Sequence, residues 1–242
     1  MRYTGYIILP KFPSLCIMHT PSIFIVIPAY NEGTIIQSVI AEIRSAGYTN
    51  IVIVDDGSTD GTYEKAKEIP GIVALRHLIN RGKGASVKTG IEGARKLGAD
   101  IVVTMDGDGQ HNPSDIAPMI TSIDQGYDVV LGSRLKDCTG MPKYKIIHNH
   151  IGNILVWMLY GLWVTDSQSG FRAYSKNAIT KIDTKTDRYE YDSEVIREIH
   201  RHQLKFIEIP IEVRYTEYSM GKVQKMNLTN GIKTLIKMIL SS

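Results

Sequence analysis

The 242-residue sequence has few of the features that mark disulfide-rich, metal-thiolate or membrane-spanning proteins. Its two cysteines, Cys16 and Cys138, are far apart and belong to no Cys-x-x-Cys or Cys/His pattern. This scarcity argues against a disulfide framework and favours a reducing cytosol. No run of about 18 apolar residues occurs without charge, so no transmembrane helix is predicted. Because the net charge is only +3, we also expect no nucleic-acid partner.

The first 21 residues are interpreted as an N-terminal extension. Pro10, Lys11 and Pro13 interrupt a weakly apolar stretch, which makes it a poor signal peptide. Met18 stands just before the first clear strand pattern, so we expect residues 1–17 to be an upstream segment from a misassigned start. Loss of solubility in a chain that begins at Met18 would count against this hypothesis.

Strand and helix patterns alternate between residues 22 and 133. Short apolar runs end in polar or turn residues, and each is followed by apolar residues at helical spacing. Strands are predicted over residues 22–30, 50–56, 71–77, 100–106 and 127–133, and helices over residues 33–46, 58–69, 83–98 and 112–126. Asn31 is the expected N-cap of the first helix. This alternation predicts an α/β fold with a mostly parallel central sheet flanked by helices.

The second half of the chain has a different pattern. A basic loop precedes a long apolar helix predicted over residues 146–163, and further helices are predicted over residues 175–182 and 189–203. A strand pair or bent strand is expected around Pro210. The tail, residues 219–242, has apolar residues at helical spacing with Lys233 and Lys237 between them, which is typical of an amphipathic or interfacial helix. We therefore predict one domain, residues 22–218, followed by a peripheral tail helix.

Polar residues follow the predicted strands at the point where each strand ends. The segments are "PAYNE", "DDGS", "DGDGQH" and "GSR". Right-handed crossovers bring the carboxyl ends of parallel strands to one edge of a sheet, where α/β proteins bind ligands. This arrangement is the first indication of an enzyme.

The pair Asp106 and Asp108 has several possible explanations. A calcium loop starting at Asp106 fails, because His111 stands where Gly is needed and Ala117 where Glu is needed. A phosphate loop around Lys83 fails as well, since neither the first Gly nor the Ser or Thr after the Lys is present. A surface Asp-Gly turn remains open. So does a site for Mg²⁺ or Mn²⁺ bridging to diphosphate oxygens, which carboxylates suit.

Five ordered motifs together resemble one family. "IPAYNE", "IVDDGSTDGT", "NRGKGAS", "MDGDGQH" and "DSQSGFRAY" look like the family 2 inverting glycosyltransferases, and within them the dolichol-phosphate mannosyltransferase and dolichyl-phosphate glucosyltransferase group. The resemblance covers about residues 22–215. It implies a glycosyltransferase-A (Rossmann-like) fold that binds a nucleotide sugar. The basic segment after the last strand, "RYTEYSMGKVQK", departs from the pattern of many relatives.

The resemblance also implies a role for each matching residue. The nucleotide would be bound by Pro28, Tyr30, Glu32, Asp55, Asp56, Lys83 and Asp106. The metal, Mg²⁺ or Mn²⁺, would be held by Asp106, Asp108 and Gln110. Phosphate contacts, on the acceptor side above all, would come from Arg134, Ser169, Arg172, Arg214 and Lys222. The catalytic set would be Asp108, Arg134 and Asp192. Elementary chemistry agrees, because a cation and planar guanidinium donors offset the charge that develops on a departing diphosphate.

A general base is the least defined part of the expected site. Inverting transfer to a hydroxyl needs a group that takes its proton, and Glu190, Asp192 and Glu194 are the candidates by family position. A solvated helix start favoured by the helix dipole explains the same acids equally well. If the acceptor is a phosphate, its oxygen is already ionised, and no strong base is required.

Two features favour a lipid acceptor. The apolar helix contains Trp157, Tyr160 and Trp163, residue types that favour membrane interfaces. A basic segment that could meet anionic headgroups precedes it, with Arg134, Lys136, Lys143 and Lys145. A core helix that is apolar on all sides is the competing interpretation.

We therefore expect a metal-dependent inverting transferase that moves a hexose from GDP-mannose or UDP-glucose to a polyprenyl or dolichyl phosphate. Its expected location is peripheral, on the cytoplasmic face of a membrane. A family 2 enzyme with a soluble or polysaccharide acceptor is one alternative. A non-catalytic subunit that binds a nucleotide sugar is the other.

Overall fold

The computed structural model describes residues 20–136, 143–188, 190–214 and Tyr218, with the backbone alone for residues 143–148. The predictions for the N-terminal extension, for Lys222 and for the tail helix lie outside the described residues. They stay predictions.

The described residues form seven strands and seven α-helices. The strands are β1 (Ile23–Ala29), β2 (Ile51–Asp55), β3 (Ile72–Arg76), β4 (Ile101–Thr104), β5 (Val129–Ser133), β6 (Arg172–Ser175) and β7 (Phe206–Pro210). The helices are α1 (Ile36–Ser45), α2 (Thr62–Lys67), α3 (Lys83–Lys96), α4 (Ile116–Asp124), α5 (Lys143–Tyr160), α6 (Lys176–Lys181) and α7 (Glu190–Arg201). A short 3-10 helix, Pro113–Asp115, leads into α4.

All seven strands belong to one sheet in the order β3-β2-β1-β4-β6-β5-β7. β6 runs antiparallel to both of its neighbours, and the other neighbouring pairs are parallel. The predicted mostly parallel sheet is therefore confirmed. β6 itself was not predicted, because its four residues begin with an arginine and contain no apolar run.

The strand residues alternate between the two faces of the sheet. Ile25 and Ile27 pack into a core with α1 and α4, whereas Phe24 and Val26 face the layer that contains α3. Strands buried on both faces explain why each strand reads as a continuous apolar run. Full burial of one such side chain is worth about 1.5–3 kcal/mol, so a shift by one residue would misplace many of them at once.

The start of α1 differs from the prediction. The helix begins at Ile36, and no side chain caps it. Asn31 has a left-handed φ of 54°, and its side-chain oxygen accepts a hydrogen bond from the N–H of Thr59 at 3.0 Å. Asn31 therefore ties the end of β1 to the loop after β2. This long-range contact replaces the expected local cap.

The long helix α5 packs against α7. Its buried side includes Val156 and Tyr160, which join a core cluster with Val195 and Ile199 of α7. No helix in the described part of the chain is both long and apolar enough to span a bilayer.

Candidate active site

The predicted site residues meet where the strand order changes direction. From β1 the chain moves outward through β2 to β3, and then returns to the other side of β1 with β4. The connection after β1 leads toward one edge of the sheet and the connection after β4 toward the other, which opens a crevice at the carboxyl ends of these two strands. Pro28 lies at the end of β1, and Asp106 follows β4 at the same edge. The site therefore occupies the position that the sequence predicts.

Lys83 brings two of the predicted carboxylates together. It is the first residue of α3, and its Nζ lies 2.9 Å from Asp106 Oδ1 and 3.5 Å from Asp192 Oδ2. Arg172 adds a second positive charge, with its Nη2 3.8 Å from Asp192 Oδ1. The end of β4, the start of α3 and the start of α7 thus share one charge network.

The network sets the protonation of its members. Burial alone would raise the pKa of Asp106, but the charge and hydrogen bond of Lys83 outweigh it and lower this pKa to about 2. Burial acts to lower the pKa of Lys83, yet Asp106 and Asp192 hold it above its ordinary value. The pKa of Asp192 is raised, because burial outweighs the nearby cations. Lys83 and Asp106 are therefore both charged at neutral pH.

Asp108 is in a different position. Its Oδ1 accepts the N–H of Gln110 at 3.1 Å, and none of the described cationic side chains lies within salt-bridge distance. Burial, followed by repulsion from Asp106, raises the pKa of Asp108 to about 6. The charge of Lys83 offsets this rise only in part, and a bound cation would stabilise the ionised carboxylate further.

The side-chain oxygen atoms of Asp106, Asp108 and Gln110 are of the chemical type that binds a divalent ion such as Mg²⁺ or Mn²⁺, and their role as its ligands stays a prediction. Carboxylate and amide oxygens are the hard ligands that these ions accept. Over the described ranges, no group of three or more His, Cys, Asp and Glu side chains is arranged to hold a metal. The predicted set has two such side chains and depends on Gln110 as the third ligand.

His111 closes the inner side of this loop. It is 5% exposed and stacks on Phe171 with ring centroids 4.8 Å apart. Its Nδ1 accepts the N–H of Asp106 at 3.3 Å, and burial lowers its pKa to about 4. The imidazole is therefore neutral at pH 7 and holds the backbone of Asp106 in place.

Arg134 is held by an acid that sequence reasoning missed. Its Nε and Nη2 donate to the two oxygens of Asp166 at 2.7 and 2.8 Å, and its N–H donates to Asp166 Oδ2 at 3.0 Å. Asp166 is 1% exposed. A bidentate pair of this kind fixes the plane of the guanidinium group. Arg134 therefore enters the site in one orientation.

Arg172 lies beneath the site. It is 1% exposed, and its guanidinium group donates to the main-chain oxygens of Ser167, Ser169 and Asp192 at 2.8 to 2.9 Å. The expected contact of Arg172 with an acceptor phosphate does not agree with this enclosure. Its geometry is that of a positioning residue that joins β6 to α7. Ser169 is also buried, and its carbonyl is one of these acceptors.

Asp56 organises the loop before α3. Its carboxylate accepts the N–H groups of Arg81 and Gly82 at 3.0 and 2.7 Å, and Nδ1 of His77 lies 2.7 Å away. The neighbouring Asp55 is fully buried, with Arg76 Nε 3.3 Å from Oδ2. Both acids lie at the carboxyl end of β2, as predicted. Their expected contacts with a nucleotide stay predictions.

The segment after β1 forms the other wall of the crevice. Tyr30 is 46% exposed, whereas Glu32 is buried and its N–H donates to Thr62 Oγ1 at 2.9 Å. The hydroxyl of Tyr218 donates to Glu32 Oε2 at 2.8 Å. Tyr218 is a contact that sequence reasoning missed, since it stands 186 residues away from Glu32 in the chain.

Arg214 lies beside the loop that carries Asp108 and Gln110, two of the predicted metal ligands. Its N–H donates to the carbonyl of Gln110 at 2.8 Å, and its side chain reaches Asn112 and Glu42 at 2.9 and 2.7 Å. The guanidinium group thus holds the loop that carries Gln110. Its predicted contact with a phosphate stays a prediction.

Comparison with known proteins defines the family. Residues 24–183 match the family described as Glycosyl transferase family 2. This chain is a family 2 glycosyltransferase. The glycosyltransferase is 38% identical over 240 residues to a UDP-N-acetylglucosamine–dolichyl-phosphate N-acetylglucosaminyltransferase of Methanococcus voltae. This match covers 90% of this chain and 95% of the relative.

One further relative and one solved structure are also similar to this glycosyltransferase. A polyprenol monophosphomannose synthase of Mycolicibacterium smegmatis is 27% identical over 230 residues, covering 90% of this chain and 86% of that one. The fold resembles glucosyl-3-phosphoglycerate synthase of Mycobacterium tuberculosis, with a TM-score of 0.70 and 20% identity over 90% of this chain and 77% of that one. The glycosyltransferase thus belongs to the dolichyl- and polyprenyl-phosphate group, and its fold is of the glycosyltransferase-A type.

Proposed function

We propose that this glycosyltransferase moves a hexose from a nucleotide sugar to a polyprenyl or dolichyl phosphate, with inversion at the sugar carbon. The observation that carries the proposal is the pair of carboxylates Asp106 and Asp108 at the crevice between β1 and β4, with Arg134 fixed nearby by Asp166. The relatives from Methanococcus voltae and Mycolicibacterium smegmatis are named for lipid-phosphate products or acceptors, which supports the acceptor class.

The donor would lie along the carboxyl ends of β1, β2 and β4. Tyr30 offers an exposed ring at this edge, and Asp55 and Asp56 stand at the neighbouring strand end. A base that stacks on an aromatic ring and a ribose that meets carboxylates would suit these groups. Lys83, positively charged beside Asp106, would face the diphosphate.

A divalent cation held by Asp106, Asp108 and Gln110 would neutralise the diphosphate as it departs. The structural relative from Mycobacterium tuberculosis was determined with Mn²⁺ and UDP, which agrees with this requirement. The pKa of Asp108, about 6, reflects burial and the charge of Asp106. A bound cation would therefore stabilise the ionised form of this carboxylate.

On the acceptor side, Arg134 would bind the lipid phosphate through its planar donors. An ionised phosphate oxygen attacks the sugar carbon without giving up a proton, so Asp192 need not act as a base. Its salt bridges to Lys83 and Arg172 instead suit a role in holding Lys83 against the donor. The membrane location of the lipid would place the enzyme on the cytoplasmic face, where nucleotide sugars are available.

The test is a donor panel with the wild-type chain and Asp108→Asn. UDP-glucose, GDP-mannose and UDP-N-acetylglucosamine are each incubated with Mn²⁺ or Mg²⁺ and a short polyprenyl phosphate, and lipid-linked sugar is measured. We expect turnover with one donor, and a loss of about 100- to 1000-fold in kcat for Asp108→Asn, the range seen when one preorganised charge-stabilising group is removed.

Asp124→Asn is the matched control, because Asp124 is an exposed residue at the end of α4. Its activity should equal that of the wild type. Full activity of Asp108→Asn in the presence of metal would refute the site. Turnover with a soluble sugar acceptor but not with polyprenyl phosphate would refute the acceptor class. Donor binding without any turnover would favour a non-catalytic subunit.

A further inference from the structure

Helix α5 carries its polar and apolar side chains on unexpected sides. Asn149 and Asn153 are buried, 9% and 1% exposed, and face the protein interior. Ile151, Ile154 and Met158 point outward at helical spacing and are 54%, 44% and 70% exposed. The inner side also holds Val156 and Tyr160, but three large apolar side chains exposed along one outer face are unusual for a surface helix of a globular protein. The outer face of α5 is therefore built to contact something other than water.

Two tryptophans extend this face at the end of the helix. Trp157 and Trp163 are 48% and 49% exposed, and their rings meet edge to face with centroids 6.1 Å apart. Tyr160, which the sequence also suggested for an interface, is only 7% exposed and belongs to the core. Indole rings combine a large apolar body with one polar N–H, so they favour the boundary between hydrocarbon and water.

The segment that carries the face has charge of one sign between Asp137 and Asp166. From Cys138 to Thr165 the sequence contains no Asp or Glu, while Lys143 and Lys145 lie in the first turn of α5. Lys136 is exposed just before this segment. An apolar face on a segment whose own charges are basic complements a lipid surface with anionic headgroups.

Helix α5 is also joined directly to the acceptor side of the site. The side-chain oxygen of Asn153 accepts the N–H and the hydroxyl of Ser167 at 3.0 and 2.8 Å, and its amide donates to the carbonyl of Thr165. Asp166, between these two residues, holds Arg134. A surface that binds α5 thus has a fixed position relative to the guanidinium group that would receive a lipid phosphate.

We propose that Ile151, Ile154, Trp157, Met158 and Trp163 form a membrane-contact face that seats the enzyme on an anionic bilayer. This inference deepens the proposed function. It rests on that function only for the reason why the enzyme contacts a membrane, and vesicle binding itself can be tested without it. A second copy of the chain suits the face less well, because an isologous contact would bring two basic segments together. The chain's own tail, residues 219–242, is equally unsuited, since it has four lysines and no acid.

The test measures vesicle binding without donor or acceptor. The full-length chain is sedimented with vesicles of phosphatidylcholine and phosphatidylglycerol in a 3:1 ratio (roughly physiological in anionic charge), and with phosphatidylcholine alone. We expect binding to the mixed vesicles that falls about 100-fold in the double variant Trp157→Ser/Met158→Ser, since two large apolar side chains are lost from the contact. Binding should be weaker to the neutral vesicles.

Leu97→Ser is the matched control. Leu97 is 52% exposed at the C-terminus of α3, at the opposite edge of the sheet from the site. This variant should bind vesicles like the wild type. Unchanged binding of the double variant would overturn the inference. A wild-type dimer that becomes a monomer in the double variant, measured by light scattering, would also overturn it, because a second copy would then be the partner. So would a large decrease in the melting temperature of the double variant without vesicles, because another part of the chain would then cover the face.

The two proposals fail separately. Turnover with short polyprenyl phosphate in solution depends on the site and not on the membrane-contact face, so the double variant should retain it. Retained turnover with unchanged vesicle binding would remove only the face. If the double variant loses vesicle binding but the wild type turns over no donor, the membrane-contact face is supported and only the proposed function is refuted.

Discussion

At the scale of single residues, the Lys83–Asp106 pair at the centre of the site depends on a glycine, Gly170, because any side chain there would collide with it. A Cβ atom at Gly170 would lie 2.4 Å from Lys83 Nζ and 2.8 Å from Asp106 Oδ1, closer than real contacts permit. The carbonyl of Gly170 also accepts the hydroxyl of Thr104 at 2.8 Å, which holds the residue against β4. The backbone therefore cannot retreat from the ion pair. The glycine gives Lys83 and Asp106 the space in which they meet.

Gly170→Ala is expected to reduce kcat/KM for the donor by at least about tenfold, because displacing charge-assisted hydrogen bonds costs about 1.5–3 kcal/mol. The fold should be retained, with a loss of about 1–3 kcal/mol in the free energy of unfolding from the added crowding. Steady-state kinetics and urea denaturation measure the two effects.

Gly93→Ala is the control for the glycine substitution. Its Cβ would meet the end of the Leu75 side chain at 3.2 Å and Val52 Cγ1 at an ordinary 3.9 Å, and Ala is the better helix former. Activity of this variant should equal that of the wild type. Wild-type kinetics for Gly170→Ala would show that the Lys83–Asp106 pair is not required.

Single-residue chemistry was partly readable from the sequence. Asp106 and Asp108 stand at the end of an apolar run, so their placement at the sheet edge followed from periodicity alone. Asp166 and Gly170 could not be assigned in this way. Their roles depend on contacts with Arg134 and Lys83, which lie 32 and 87 positions away along the chain, and local patterns carry no information about such pairs.

At the scale of elements, the start of α7 separates three acids that the sequence grouped together. Asp192 faces Lys83 in the site. Glu194 instead accepts the N–H groups of Lys185 and Thr186 at 3.0 and 2.8 Å, and the hydroxyl of Thr186 at 2.6 Å. It therefore fastens the loop before α7 and is unsuited to act as the general base.

Glu194→Gln is expected to lower the free energy of unfolding by about 1–3 kcal/mol at pH 7, the cost of leaving buried donors without their partner. Burial alone would raise the pKa of Glu194, but the hydrogen bonds from Thr186 and Lys185 and the charge of Arg197 lower it. A lowered folded-state pKa stabilises the protein above the pKa of the unfolded chain, and this stabilisation is lost as pH falls through the folded value.

Urea denaturation between pH 7 and pH 3 measures this effect. The difference between the wild type and Glu194→Gln should be constant down to about pH 4.5, the ordinary glutamate pKa, and shrink below it. Glu64→Gln is the control, because Glu64 forms an exposed salt bridge with Arg76 that is worth at most about 1 kcal/mol. A difference that grew as the pH fell would contradict the assignment.

Elements with strong periodicity were predictable, and those without it were not. The helices that follow the first four strands and the strands themselves appear close to their predicted bounds. β6 was missed because four residues cannot show a period. The long helix α5 was predicted, but its orientation was not, since both of its faces carry apolar residues and its buried face also carries asparagines.

At the scale of the whole molecule, ligand binding should couple to stability. The crevice joins β1, β2 and β4 to α3 and α7, so a nucleotide bound there, as proposed, would contact several separate parts of the chain. A ligand at 100 times its Kd stabilises the folded state by about 2.7 kcal/mol, which for a protein of this size raises Tm by about 5–10 °C.

We therefore expect UDP or GDP, whichever belongs to the donor, to raise Tm by this amount when Mn²⁺ is present. EDTA should abolish the rise, and Asp108→Asn should show little of it with Mn²⁺. Differential scanning fluorimetry measures both. An equal rise with EDTA would mean that the nucleotide binds without the cation.

The antiparallel direction of β6 has a consequence for how this enzyme can change. Residues 134–171 leave the sheet at the end of β5 and return at the start of its neighbour β6, so the excursion begins and ends at the same edge. It carries α5, Asp166 and Gly170, whereas the residues proposed for the donor lie at the ends of β1, β2 and β4 and at the start of α3. The two ends of this segment lie close together, on neighbouring strands. We expect its replacement to alter acceptor choice and membrane attachment, and to spare the donor side only if Gly170 is kept against the Lys83–Asp106 pair.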